Sequence, residues 1–245
     1  MKTVFLAWQD FNSRRWFPIG KLTYNGIQYQ FVYTQGVKNA QKECEFQPLF
    51  SFPDLEKVYT SKELFPLFAN RVMRRSRPDY KTYLECLNIP QNADEPMAIL
   101  YRSGGKKATD TFEIFPEPEP DENGLYQLHF FVHGLRYFPD SSLDRVNKLQ
   151  QNEPLYLVHD AQNHYDPLAL LLRTEDNYNV GYCPRYLVDD LHQLIEKNPQ
   201  KLNLQVERVN PAPTPIQFRL LCNLTAQWDA DFQPFSTTDY QPLIN

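Results

Sequence analysis

Glycine is scarce in this chain: 8 glycines stand against 20 prolines in 245 residues. That balance argues against a Gly-rich phosphate-loop enzyme, and the prolines argue against a protein of long helices. Cysteine is thin as well. Cys44, Cys86, Cys183 and Cys222 lie far apart, with no pair at metal-ligand spacing and no dense disulfide pattern, so reduced, partly buried thiols are expected and zinc is not. No apolar run approaches membrane-spanning length, and "MKTVFLAWQDFNSRRW" reaches Gln9 and Asp10 too soon for a secretory leader, so a cytoplasmic protein without a membrane partner is expected. Excess positive charge is also missing. The net charge of −5 argues against coating nucleic acid through the overall field. Residues 1–120 hold 16 Lys and Arg against 14 Asp and Glu, whereas residues 121–245 hold 9 against 16. Any nucleic-acid contact in the second half must therefore be a local pocket. No nucleophile with its base, paired-carboxylate signature or metal motif is legible, so neither catalysis nor a cofactor is expected.

What is present is an aromatic content of 14%, spread over short alternating segments. The stretch "FPEPEPDENG" at residues 115–124 alternates Pro with Glu and ends in turn residues, which reads as a stiff acidic linker between two domains. The expected division is 1–116, a linker at 117–124, and 125–245. Before the break, "LTYNGIQYQFVY" places Asn25-Gly26 between alternating segments, a tight hairpin with Ile27, Tyr29, Phe31 and Tyr33 on one face of its second strand. "FQPLFSFPDLEKVY" reads as irregular chain with a short strand. "SKELFPLFANRVMRR" offers Ser61 as a cap and Leu64, Phe68 and Val72 at helical spacing. A second helix begins at Pro78 and carries Tyr80, Tyr83, Leu84 and Leu87 on one face. Then come a helix or turn, a Gly-Gly loop and a strand over 111–115. "SGGKK" lacks the spacing of a Walker loop and reads as a basic surface hairpin. The cluster Arg71, Arg74, Arg75 and Arg77 reads as a solvated helix end.

The runs "GKLTYNGIQYQFVY", "LFPLFANRVMRRSRPDYKTYLECLNI" and "AILYRSGGKKATDTFEIFP" resemble the small N-terminal subdomain of HipA-type kinases over roughly residues 16–116. The chain leaves that family's pattern where the kinase core would begin, so the resemblance implies a module that docks on a partner rather than phosphoryl transfer.

The second half reads as strand "LYQLHFFV" with a bend at Gly134, a loop or short helix at "SSLDRVNKLQQNEP", strands "LYLVHD" and "LALLLRT", and a third strand to Gly181 and Tyr182. Pro184 then starts a helix with Leu187, Leu191, Leu194 and Ile195 on one face, and strands "LNLQVERV" and "IQFRLLCNLTAQW" follow. The fold class expected is α+β, mainly β, in two small domains. The second would be a compact OB/SH3-like β-barrel with one or two helices, which removes exposed edges.

The order strand, "HGLRY", strand, "NHYDPLAL", strand, "VGYCPR", helix is similar to the HIRAN domain over residues 125–228 or so. That domain is found beside DNA-remodelling helicases and in smaller bacterial proteins. The resemblance implies a pocket for the 3′ end of single-stranded DNA, with Arg136, Tyr137, Asn163, Tyr165 and Asp166 matching the end-binding positions and Tyr182 and Arg185 lying near the terminal phosphates. His164 stands where many relatives carry Pro. Physically, a strand end needs an aromatic face, a cation for phosphate and an acceptor for a free 3′-hydroxyl. Tyr137 and Tyr165, Arg136 and Arg185, and Asp166 supply those types, and a carboxylate that accepts from a hydroxyl repels a phosphate. The same residues admit a purely structural reading: Asp166-Pro167 as a turn starter, Asn163 closing an Asx-turn, Tyr165 capping the barrel end, and Arg136 paired with Asp166. His129, His133, His159 and His192 read as surface residues of strands and a helix, and Trp8, Trp16 and Trp228 as core or interface anchors. The expected function is non-catalytic recognition of DNA 3′ ends or frayed junctions in repair, alone or with a kinase, helicase or nuclease partner. The alternative is an antitoxin-like regulator of a HipA-type toxin kinase.

Overall fold

In the computed structural model, which describes residues 2–227 and 232–244, the alternating segments of the N-terminal half form one antiparallel sheet. Its strands are β1 (Lys2–Gln9), β2 (Trp16–Tyr24), β3 (Tyr29–Tyr33), β4 (Tyr59–Ser61) and β5 (Phe112–Pro116), in the order β4-β3-β2-β1-β5. Asn25 and Gly26 do turn β2 into β3, but the loop takes four residues. The Asn25 side-chain oxygen accepts from the backbone N–H groups of Ile27 and Gln28 at 2.9 Å each, and Gly26 adopts φ 93°. Ile27 is therefore exposed in the loop, not aligned with Tyr29, Phe31 and Tyr33 on the strand.

One face of the sheet carries Val4, Leu6, Ile19, Leu22 and Phe31 into a core completed by Val37, Ala40, Phe52, Phe68, Met97 and Leu100. Helices α1 (Gly36–Cys44), α2 (Pro66–Ala69) and α4 (Pro96–Ser103) supply part of that cover, and α3 (Tyr80–Cys86) lies between α2 and α4 in the chain. The helix expected from Ser61 is only the short α2, because Pro66 sits at its first turn and Ser61 ends β4 instead of capping. The basic cluster is not a solvated helix end. Arg71 is buried, with its guanidinium forked onto Asp110 at 2.6 and 3.1 Å, donating to the Gly105 carbonyl at 2.8 Å and lying over the Phe112 ring. Arg75 pairs with Asp94 and Arg77 with Asp79, both at 2.9 Å. Three of the four cations thus have a named carboxylate, which leaves little free charge for a partner.

The chain sorts into two units, one of Met1–Glu85, Ile89–Glu117 and Gln233–Asn245, the other of Cys86–Asn88 and Pro118–Phe232. The C-terminal segment, expected as an extension of the second domain over 125–245, goes with the first. Phe235 and Tyr240 pack on Phe5, with ring centroids at 5.4 and 5.2 Å, Phe235 also meets Phe115 at 5.4 Å, and Pro242 bridges to Thr34. This covers the second face of β1, which explains why Val4, Phe5, Leu6 and Ala7 are all buried. Trp8 lies against Phe17 and Phe46 and Trp16 against Phe115; Trp228 lies outside the described residues.

The second unit holds β6 (Leu125–Phe131), β7 (Tyr156–His159), β8 (Leu170–Arg173), β9 (Asn179–Tyr182), β10 (Leu202–Val209) and β11 (Leu220–Gln227), with helices α5 (Asp140–Val146) and α6 (Arg185–Lys197). The expected closed barrel is not formed among the described residues. The strands make two three-stranded antiparallel sheets, β10-β11-β6 and β7-β8-β9, with isolated bridges from His133 to Tyr182 and from Pro154 to Gln205 between them. Short strands of four residues in β7, β8 and β9 run out of ladder before the ring can close. Leu187, Leu191 and Leu194 of α6 are buried as their spacing predicts, and Ile195 is half-buried. No helix among the described residues is long and apolar enough to cross a membrane.

Candidate functional site

Three short segments of the second unit bring the singled-out residues to the ends of the β7-β8-β9 sheet. The first follows β6. Gly134 adopts φ 70°, a left-handed conformation that turns the chain into the short 3-10 helix Leu135–Tyr137. This turn presents Arg136 and Tyr137 side by side: the guanidinium lies 4.7 Å from the Tyr137 ring centroid and donates to its hydroxyl at 2.6 Å. Tyr137 is 71% exposed, so the pair offers an open aromatic face backed by a cation.

The second segment is the β7–β8 connection. Asn163 closes an Asx-turn, its side-chain oxygen accepting from the backbone N–H groups of Tyr165 at 3.0 Å and Asp166 at 3.1 Å. Asp166 in turn accepts the Leu168 N–H at 3.1 Å. Tyr165 is held at the tip and is 80% exposed, so it does not cap a core. The third segment is the β9–α6 junction. Gly181 adopts φ 126°, and a Cβ there would lie 2.1 Å from Val132 Cγ1, so only glycine lets β9 approach the chain after β6. Tyr182 follows it and donates its hydroxyl to Asp160 Oδ2 at 2.7 Å. Partial burial, and then that bond to a carboxylate, raise the Tyr182 phenol above its ordinary value.

Arg185 at the start of α6 does not stand free for phosphate. It pairs with Asp166 Oδ2 at 3.1 Å and with Asp189 Oδ1 at 3.2 Å. The pairing of Arg136 with Asp166 is absent, because Arg136 is engaged with Tyr137. Two connected groups result: Asn163, Asp166, Arg185, Tyr182 and Asp160 in one network, and Arg136 with Tyr137 beside Gly134. The groups adjoin at Gly134, whose added Cβ would sit 3.2 Å from the Tyr182 ring and 3.7 Å from the Tyr137 ring.

Sequence reasoning missed three contributors. Asp160 anchors both Tyr182 and, at 3.5 Å, the Asn163 amide. His159 and His192, read as plain surface residues, instead hydrogen-bond the Pro167 and Leu168 carbonyls through Nε2 at 2.7 and 2.9 Å. Their rings meet edge to face at 5.4 Å. They come from different elements and grip consecutive residues of the turn, a relation that no spacing in the sequence announces. Among the described residues, no group of three or more His, Cys, Asp or Glu side chains is placed to hold a metal ion.

The family model of the HIRAN domain matches residues 125–229, so this part of the chain is a HIRAN domain. Among solved structures, a protein from Lactobacillus plantarum aligns at 20% identity over 42% of this chain and 99% of that one, with a TM-score of 0.32. The HIRAN domain of human HLTF aligns at 22% identity over 42% of this chain and 74% of that one, with a TM-score of 0.31. No curated protein matches the chain. The resemblance of the N-terminal half to the HipA subdomain has no counterpart in these comparisons.

Proposed function

We propose that the HIRAN unit binds single-stranded DNA by its 3′ end, as a binding module rather than a catalyst. The family match supports DNA as the ligand, and the observation that carries the end preference is the state of Asp166. Its carboxylate is partly buried, 21% exposed, fixed by one backbone N–H and one guanidinium, and follows the exposed Tyr165. An ionised carboxylate has about four lone-pair sites, so it retains capacity for a hydroxyl donor while repelling a terminal phosphate. Tyr137 and Tyr165 offer the stacking faces, which contribute about 1–3 kcal/mol per base in single-strand binders. Arg136 is the phosphate cation of choice, since Arg185 already shares its charge with two aspartates. Such a pocket lets a domain of net negative charge bind DNA, because it engages one end and not a backbone tract. The wider alternative of a kinase regulator draws on the N-terminal resemblance alone and has no structural feature in its favour.

The test is fluorescence anisotropy with 5′-labelled single-stranded DNA ending in a 3′-hydroxyl or a 3′-phosphate. The wild-type protein should prefer the hydroxyl by about tenfold, the value of one charge-assisted hydrogen bond, and Asp166→Ala should abolish the preference. Equal affinity of the wild-type protein for both ends would overturn the reading.

A further inference from the structure

We propose that His159 and His192 are positioning residues of the turn that carries Asp166, and that their protonation makes DNA-end binding tighten as pH falls; this rests on the end-binding reading above. The turn is held from two sides. His159, the last residue of β7, donates from Nε2 to the Pro167 carbonyl at 2.7 Å, and His192 on α6 donates from Nε2 to the Leu168 carbonyl at 2.9 Å. A carbonyl only accepts, so both of these nitrogens carry their protons. Arg185, Asp189 and His192 recur at i, i+4 and i+7 along α6, which makes them one stripe of the helix. That stripe meets the turn twice, through the Arg185 ion pair with Asp166 and through the His192 bond to Leu168.

Folding alone does not call for either imidazole. Pro167 and Leu168 are both exposed, so water would satisfy their carbonyls. What the two bonds fix is the path of the residues directly after Asp166, whose own Oδ1 accepts the Leu168 N–H at 3.1 Å. The carboxylate offered to a 3′-hydroxyl is thereby located by the anchors of its neighbours. The two rings meet edge to face with centroids at 5.4 Å. Imidazoles change charge between about pH 5 and 8, and a proton added at Nδ1 leaves each Nε2 bond in place and makes it charge-assisted. The charged and titratable groups around the pair are Asp160, His164 and Asp166 on the turn, Arg185, Asp189 and Glu196 on α6, and Tyr182 of β9; β8 opposes His159 with the apolar Leu170. Four carboxylates against one guanidinium offset the repulsion between two imidazolium rings, so the protonated clamp holds the turn more firmly and turns the local charge toward that of a phosphate partner.

The experiment is an anisotropy titration of a 5′-labelled oligonucleotide with a free 3′-hydroxyl, at about pH 8 and about pH 5.5 and constant ionic strength. The wild-type protein should bind about tenfold tighter at the lower pH, the scale of two hydrogen bonds becoming charge-assisted. Carrying His159→Gln and His192→Gln together keeps an N–H donor for each carbonyl without the charge; this protein should match the wild type at the higher pH and lose most of the gain at the lower. With His159→Ala and His192→Ala both donors go, and binding should weaken about tenfold already at the higher pH, with Tm shifted by less than about 2 °C. His164→Gln should leave the gain in place. A full gain in the glutamine variant, or its loss in His164→Gln, overturns the titration, and an alanine variant that binds like the wild type at the higher pH overturns the positioning role. Failure of the wild-type protein to bind at either pH overturns the end-binding reading itself.

Discussion

Asn163→Ala removes the single acceptor shared by two backbone N–H groups, those of Tyr165 and Asp166 at 3.0 and 3.1 Å, and the donor that reaches Asp160. A hydrogen bond contributes a net of about 1 kcal/mol, so the ordered turn becomes costlier by about 2 kcal/mol. The turn lies at the surface, where water satisfies the released N–H groups. The loss is consequently local, and the global fold is spared. A ligand that requires the ordered turn must then supply that free energy itself, which corresponds to about a 30-fold rise in Kd. The assay is an anisotropy titration with a 5′-labelled oligonucleotide bearing a free 3′-hydroxyl, run beside thermal denaturation. A weakened affinity with Tm shifted by less than about 2 °C is expected. Asn163→Asp keeps an acceptor for the backbone but sets a second carboxylate against Asp160, and should recover only part of the affinity. Binding by Asn163→Ala within twofold of the wild-type protein would refute the argument that this side chain sets the turn.

Arg71→Met should destabilise the first unit by about 3–5 kcal/mol in urea denaturation, because Asp110 loses its bidentate partner and the buried arginine cannot be replaced by water; an effect below about 1 kcal/mol would show that the cation is dispensable there. Tyr240→Ala should cost the same unit about 3–5 kcal/mol by opening the aromatic cover on Phe5 and Phe115, read as a lower midpoint of its transition with the second unit's transition unmoved. Asp176 is held down to about 2 by hydrogen bonds from Arg145 and then Thr174. Its folded pKa lies below the ordinary 3.8, so its contribution is present above that value and is lost as pH falls through about 2. Thermal denaturation followed from about pH 5 downward should show Asp176→Asn less stable at the upper end and converging with the wild-type protein at the lower.

The strand segments and α6 were legible because apolar periodicity and Pro or Gly punctuation are local signals. The turn was legible for the same reason: Asn163 and Asp166 accept backbone N–H groups within three residues of themselves. What escaped depended on partners distant in sequence. Arg71 looked like a solvent-exposed charge because its carboxylate lies 39 residues away. Helix α1 escaped because only Gly36, Val37 and Ala40 of its nine residues are buried, too thin a stripe to register as periodic. The barrel was inferred from strand count, whereas closure depends on ladder length, which four-residue strands joined by single bridges do not provide. His159 and His192 show the limit most sharply, since each bonds a carbonyl and any neutral or charged imidazole could do so from many positions.

The covering of β1 by Phe235 and Tyr240 has a consequence for biosynthesis. Phe5 is synthesised before the second unit, yet the rings that cover it arrive only after that whole unit has been made. At about 5–20 residues per second, the later-encoded unit has time to fold while the earlier one still exposes one face of β1. The last contacts of the first unit can thereby form only after the second unit has been synthesised. The first unit completes only on a chain that has been translated through the second unit, so truncated products are left with an open apolar sheet face for quality control to recognise.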